Sequence, residues 1–326
     1  MQWFNVSLAT WARPISFIFL ILLPFRFASS SELANDLSVA TWNFENLNGV
    51  HGRALFEGRS YERTQRDFDA FRKYVLEASA DVVLLQEVAS PKAMRQVLPA
   101  KYNYLISSQY FDILPAVGIY TGIAYDPSTV KVIATVAIPT GIRHIEGSGR
   151  AAGARDTVGI QVLWGAARVW ILSVHLKSSC NRKSLPHETN PTDCRILYQQ
   201  LLILRQWITR LRADGSSVII GGDFNRRGDP NYTDDSYLSV LDTAGDVKQI
   251  VRTDRRECST FSGKDRNPID YFVLFGLADA LVQAKEISIH EQDIKVGYKL
   301  SDHCPVRLQL SRKFAAQVPN SRKVPY

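Results

Sequence analysis

The segment Gly221, Gly222, Asp223, Phe224, Asn225 follows the apolar run Val218, Ile219, Ile220. A carboxylate and an amide two residues apart at the end of an extended segment fall on one face of it, where both can meet one ligand. Read alone, the pair has the composition of a turn. The chain repeats the pattern elsewhere. Asn43 closes a run from Leu37, Glu87 closes Val82 to Gln86, His175 closes Val169 to Val174, Asp270 opens the run to Phe275, and Asp302 and His303 precede Pro305 to Leu310. Singly, Glu87 is a solvated strand end, His175 a hydrogen-bonded core histidine, and Asp302 with His303 a capped turn. Together they point to one site, because α/β folds gather functional side chains at one edge of their sheets. Acids and amides without thiolates in the set suit a hard cation, Mg²⁺ first, with Mn²⁺ or Ca²⁺ as alternatives. Two histidines beside acids suit acid/base work or stabilisation of phosphate charge.

The elements that must position these groups are legible in outline. Leu37 to Asn43 reads as a strand, and Phe68, Phe71 and Val75 recur at helical spacing after a cap at Ser60. A strand follows over Asp81 to Glu87, and Ser90 with Pro91 opens a short helix. Strand-like runs cover Val117 to Tyr125, Val130 to Val136, Val158 to Trp164 and Val169 to His175. Leu197, Leu201, Leu204, Ile208 and Leu211 form one apolar stripe, which predicts a helix over Thr192 to Arg212. The strand ending at Gly222 comes next, then Ile269 to Phe275 and Pro305 to Leu310. Helices and strands alternate without a linker break, so one α/β domain with more than one sheet is expected over residues 31–312.

Outside that domain, Ile15 to Leu23 is an apolar run between Arg13 and Arg26, followed by Ala28, Ser29 and Ser30. This is the layout of a signal peptide over residues 1–30, and the run is short for a bilayer span. A secreted or periplasmic location follows as an expectation. Residues 313–326 form a polar, basic tail. Export gives meaning to the four cysteines, an even count without a CxxC pair. Two disulfides are expected, with Cys180 and Cys194 stapling one polar loop and Cys258 and Cys304 joining two C-terminal segments. The 39 Lys and Arg against 32 Asp and Glu give a net charge of +7, which favours acidic partners. The glycine-rich stretch Gly141 to Gly153, with Arg143, Arg150 and Arg155 in or beside it, reads as a surface loop that could carry arginines to a phosphate.

The ordered series Thr41 to Leu47, Leu85 to Val88, Ser173 to Leu176, Gly222 to Asn225, Ile269 to Tyr271 and Ser301 to Val306 resembles the endonuclease/exonuclease/phosphatase superfamily of metal-dependent phosphoesterases. The resemblance implies a four-layered α/β/β/α sandwich of two packed mixed sheets flanked by helices, with the site in a cleft at one sheet edge. It implies Glu87 as the main metal ligand, supported by Asn43 and Asp302. Asp223 would orient and help deprotonate the attacking water, and Asn225 would hold that water or a phosphate oxygen. His303, placed by Asp270, would stabilise charge on the phosphate, and His175 would lie near the leaving or bridging oxygen. The sequence departs from the secreted deoxyribonuclease branch at Val117 to Thr121, where no acid stands to back the first histidine.

Three substrate readings follow. The basic charge, Arg155, Arg226 and Arg227 beside the motifs, and Arg252, Arg255 and Arg256 before Cys258 favour an exported, monomeric nuclease acting on DNA or RNA. A sphingomyelinase-like or small-phosphoester hydrolase is the alternative, with the loop Tyr110 to Pro115 as its candidate apolar hairpin. A non-catalytic binder on the same scaffold is opposed by the presence of acids and histidines at every motif.

Overall fold

The structure, a computed structural model, describes residues 36–110, 118–141, 145, 155–180, 185, 192–227, 236–250, 269–277, 282–286, 293 and 296–311. The expected signal segment, the tail, Cys258, most of the arginine loop, residues 111–115 of the candidate hairpin and the arginines at 252, 255 and 256 lie outside these residues. Among the described residues, no helix is long and apolar enough to cross a membrane.

In the first half of the chain the strands are β1 (Leu37–Leu47), β2 (Val82–Val88), β3 (Asn103–Ile106), β4 (Tyr120–Tyr125), β5 (Lys131–Ile138) and β6 (Thr157–Trp164). In the second they are β7 (Ala167–His175), β8 (Ser217–Asp223), β9 (Val247–Ile250), β10 (Asp270–Phe275), β11 (Val282–Glu286) and β12 (Val306–Leu310). They form two six-stranded sheets, ordered β11-β12-β1-β2-β4-β3 and β5-β6-β7-β8-β10-β9. Each contains one parallel pair, β1 with β2 and β7 with β8, and is otherwise antiparallel.

Apolar side chains on both faces of the central strands give the layering. Val39, Val82, Leu84, Ile123 and Leu308 of one sheet meet Ile160, Ile171, Ile219, Phe272 and Leu274 of the other in a dry core between them. The outer face of the first sheet packs on α1 (Gln65–Ala78) and α2 (Pro91–Val97) through Trp42, Phe68, Phe71 and Met94. The outer face of the second packs on α3 (Thr192–Leu211) and α4 (Ser236–Leu241) through Leu172, Leu197, Leu204 and Ile220. This is the expected α/β/β/α sandwich.

Two helix starts show how local chemistry sets the boundaries. Ser90 caps α2, accepting the Ala93 amide at 3.2 Å, as the sequence predicts. The cap of α1 is Thr64 rather than Ser60: Asp67 accepts the Thr64 amide at 2.7 Å and closes a capping box. Ser60 instead accepts the Phe56 amide inside the preceding loop. The predicted disulfide between Cys180 and Cys194 is present, with Cα atoms 5.0 Å apart, and ties the chain after β7 to the first turn of α3.

Candidate active site

Strand register brings the scattered motifs together. His175, Asp223 and Asp270 stand opposite one another at one end of neighbouring β7, β8 and β10. Gly222 makes this approach feasible. Its φ is +150°, and a Cβ there would lie 2.0 Å from the Val174 carbonyl oxygen, so only glycine fits. On the facing sheet the β1–β2 register breaks between Asn43 and Leu47, and the β2–β4 register breaks between Leu85 and Val88. Within these bulges Glu45, Asn46 and Glu87 all take positive φ, as does Asn225 beyond β8. Such conformations are costly for residues other than glycine and cluster where a backbone must aim a side chain.

The two sheets meet through these side chains. Asn43 Nδ2 donates to Glu87 Oε1 at 3.2 Å and to Asp223 Oδ2 at 3.0 Å, spanning the sandwich. Its Oδ1 accepts the Glu45 amide, and Glu87 Oε2 accepts the Asn46 amide, both at 2.9 Å. His175 Nε2 faces Glu87 Oε1 at 3.5 Å and Asp223 Oδ2 at 3.6 Å. His303 Nδ1 lies 2.7 Å from Asp270 Oδ2, and its Nε2 faces Asp223 Oδ2 at 4.0 Å and Asp302 Oδ1 at 3.7 Å. One layer below, Gln86 Nε2 donates to Thr41 and Ser173, a second polar link between the sheets.

Electrostatics differentiates the groups. Burial, then the charge of Asp270, pushes Asp223 up to about 7, against the pull of His303. Burial works against a charged His303 but is outweighed by Asp270 and Asp223, so the ring is held well above its ordinary value and is an imidazolium at neutral pH. His175 is driven well below its ordinary value by burial and by the neighbouring Arg155 and His303 charges. It is therefore a neutral ring, and its contacts with Glu87 and Asp223 are not ion pairs. Its Nδ1 is buried and has no hydrogen-bond partner among the described residues, consistent with the acid-free sequence at Val117 to Thr121.

The donors suit a divalent cation. One ligand atom each from Glu87, His175 and Asp223 lies within 4.8 Å of the others, and Asp223, Asp270 and His303 form a second such group. Burial raises Asp223 most, and the repulsion from Asp270 and Glu87 that adds to it is what a cation would relieve. Asp302 stands at the rim, exposed, with its amide donating to Glu45 Oε2 at 3.0 Å.

The remaining predicted residues take other positions. β8 ends at Asp223, so strand alternation stops there. The Asn225 amide nitrogen donates to Asp223 Oδ1 at 2.7 Å while its side-chain Nδ2 donates to the Leu176 carbonyl at 2.9 Å. Arg155 donates to the same carbonyl at 2.8 Å and interacts electrostatically with Glu87 and Asp223. Arg226 is buried and donates to the Cys180 carbonyl at 3.1 Å. Cys304 is partly buried against the helix-side core, and its expected partner Cys258 is outside the described residues.

Sequence reasoning passes over two residues. Glu45 lies inside the quoted Thr41 to Leu47 motif, two positions after Asn43, and that spacing is the signal that could have found it. Burial, then the charge of Asp302, raises it to about 7. Arg63 carries no motif, yet it is 1% exposed and close to the end of β1.

Comparisons with known proteins agree with this geometry. The sequence profile of the Endonuclease/Exonuclease/phosphatase family matches residues 40–303. No curated protein matches the sequence. The fold is shared with D. rerio TDP2 complexed with a single-strand DNA product (17% identity, TM-score 0.58, 85% of this chain and 99% of that one). It is shared with an endonuclease/exonuclease/phosphatase from Bacteroides vulgatus (15% identity, TM-score 0.59, 85% of this chain and 98% of that one). It is also shared with a mannosyl-6-phosphatase from Bacteroides thetaiotaomicron (16% identity, TM-score 0.55, 84% of this chain and 99% of that one). With the profile covering every site residue from Asn43 to His303, the chain belongs to the endonuclease/exonuclease/phosphatase family.

Proposed function

We propose that this phosphoesterase is an exported, metal-dependent phosphodiesterase that hydrolyses nucleic acid, DNA first. The observation that carries the reading is the placement of Asp223, buried and raised to about 7, 4.0 Å from a His303 ring that Asp270 keeps cationic. A carboxylate with that affinity for a proton can accept one from water at neutral pH, and a fixed imidazolium beside it can meet the charge that builds on phosphorus.

Glu87 and Asp223, with Asn43 and Asp302 around them, would hold Mg²⁺ or Mn²⁺. When bound, such a cation neutralises phosphate oxygens and orients the reacting groups. The protein's own residues do the rest. Asn43 fixes the Asp223 carboxylate against Glu87. Asp223 takes the proton from water, and His303 stabilises the phosphate while Asp270 fixes its ring. His175, neutral and with Nε2 turned to two carboxylates, serves as a hydrogen-bond donor rather than as a reservoir of charge. Asn225 and Arg155 hold the Leu176 carbonyl and thereby the end of β7; among the described residues Arg155, beside Glu87 and Asp223, is an arginine placed to feel a phosphate.

The net charge of +7 supports a polyanionic substrate. The likeness to a mannosyl-6-phosphatase supports a second reading, a small phosphoester. One assay separates them: mature protein is given plasmid and single-stranded DNA, RNA, sphingomyelin and phosphomonoesters with Mg²⁺ or Mn²⁺. Metal-dependent nicking that weakens steeply with salt supports the nuclease. Cleavage that survives EDTA refutes the metal-dependent mechanism, and salt-insensitive turnover of a small phosphoester alone refutes the nuclease.

A further inference from the structure

The segment 299–303 carries Asp302 and His303 yet belongs to no strand. The pairing of β1 with β12 runs from Leu37 with Leu310 to Thr41 with Val306, and stops short of it. Its position is set by individual hydrogen bonds to the end of β1. Ser301 Oγ donates to the Asn43 carbonyl at 2.6 Å, the His303 amide donates to Ser301 Oγ at 3.0 Å, and Trp42 Nε1 donates to the His303 carbonyl at 2.9 Å.

Arg63 anchors the other side of this segment. Its Nε donates to the Lys299 carbonyl at 2.7 Å, one Nη to the Leu300 carbonyl at 3.0 Å and the other Nη to the Glu45 carbonyl at 2.9 Å. The side chain is 1% exposed, and among the described residues no carboxylate pairs with it at ion-pair distance. Its guanidinium instead lies against the Phe71 and Tyr61 rings. Burying a cation is costly unless its donors are satisfied, and here every bond made is to a backbone carbonyl at the site's edge. A planar fork can hold three carbonyls in fixed relation, which a point-like ammonium cannot.

We propose that Arg63 is a positioning residue for the reaction: its guanidinium locks the segment bearing Asp302 and His303 to the strand end bearing Asn43, and so sets the distance at which His303 faces Asp223. The proposal rests on the hydrolytic reading above and adds to it a residue that touches none of the reacting atoms.

The test uses Arg63→Lys, with Arg63→Gln as the second variant should the lysine form fail to fold. Hydrogen exchange of the folded protein reads the lock directly, with or without activity. Amides in 299–303 should exchange about tenfold faster in the variant while β2 and β8 keep wild-type protection. On whichever phosphoester the wild type hydrolyses, kcat should fall about 10- to 100-fold with KM within about twofold, the response to misplacing a group by a fraction of an ångström to an ångström. Millimolar methylguanidine, and not methylamine, should restore part of the activity of Arg63→Ala. Unchanged exchange in 299–303 overturns the proposal, and so does faster exchange spread evenly over the fold with kcat recovered on cooling. A wild type inactive on every phosphoester would sink the hydrolytic reading, while the exchange result would still decide whether Arg63 fixes the segment.

Discussion

Replacing Asp223 with Asn should make the metal-free protein more stable at pH 8 while removing its hydrolytic activity. A buried carboxyl raised from 3.8 to about 7 is held neutral in the fold up to that value but ionises near 3.8 when unfolded. The stability it contributes is therefore complete below about pH 4, declines as pH rises, and is gone above about pH 7. At pH 8 the loss is roughly 4 kcal/mol, at about 1.4 kcal/mol per tenfold change in proton affinity. Asparagine has no charge to bury, but it turns one acceptor oxygen into a donor. Asp223 uses both oxygens, accepting from the Asn43 side chain and the Asn225 amide, so one of these bonds is lost at a cost of about 1 to 2 kcal/mol. The net gain at pH 8 is about 2 to 3 kcal/mol, or about 3 to 5 °C in Tm for a domain of this size. Thermal melts of both proteins in EDTA at pH 5 and pH 8 provide the assay, with Mg²⁺ added in a parallel series. The variant should gain at pH 8 and be level with or below wild type at pH 5, and Mg²⁺ should raise the wild-type Tm more than the variant's. Equal Tm differences at the two pH values would refute the assignment of a raised, buried carboxyl at Asp223.

Asp270→Asn removes the charge that holds His303 above its ordinary value; the imidazolium is then lost as pH rises through a lower value, so the pH–rate profile should lose its alkaline side, with activity at pH 8 falling further than at pH 6. Gly222→Ala should cost at least about 3 kcal/mol, because its methyl would meet the Val174 carbonyl at positive φ; Gly245→Ala, at φ +72° with nothing near, should cost only about 1 kcal/mol, and chemical denaturation compares the two. Breaking the Cys180–Cys194 bridge with a Cys180→Ser, Cys194→Ser double variant should lower stability by about 3 kcal/mol, the cost of freeing a loop with a sequence separation of 14.

What the sequence made legible was whatever rests on periodicity or on chemistry at a strand end. The stripe Leu197 to Leu211 predicted α3 to within a residue, and the apolar runs before Glu87, His175 and Asp223 predicted β2, β7 and β8. Elements whose order comes from partners were missed. β3, β9 and β11 are short and lie at or near sheet edges, with little apolar signal of their own. The cap of α1 was misplaced because Ser60 and Thr64 are equivalent as residue types, and only the reach of Asp67 decides between them. At the site, identities were readable but orientations were not. Positive φ at Asn225 turns its amide to Leu176, and the bulge after Asn43 brings Glu45 to the rim. Arg63 was invisible because its partners are main-chain carbonyls, which carry no sequence signature.

The division of the site between the sheets, with Asn43 and Glu87 on one and His175, Asp223 and Asp270 on the other, governs when activity can first arise during synthesis. The earliest strands supply two of the groups, but β1 gains its second neighbour only when Val306 to Leu310 pairs along Leu37 to Thr41. His303 itself is made just before that strand. A nascent chain therefore carries an incomplete set of site side chains until His303 and the strand after it have been made, and hydrolytic competence cannot precede that pairing.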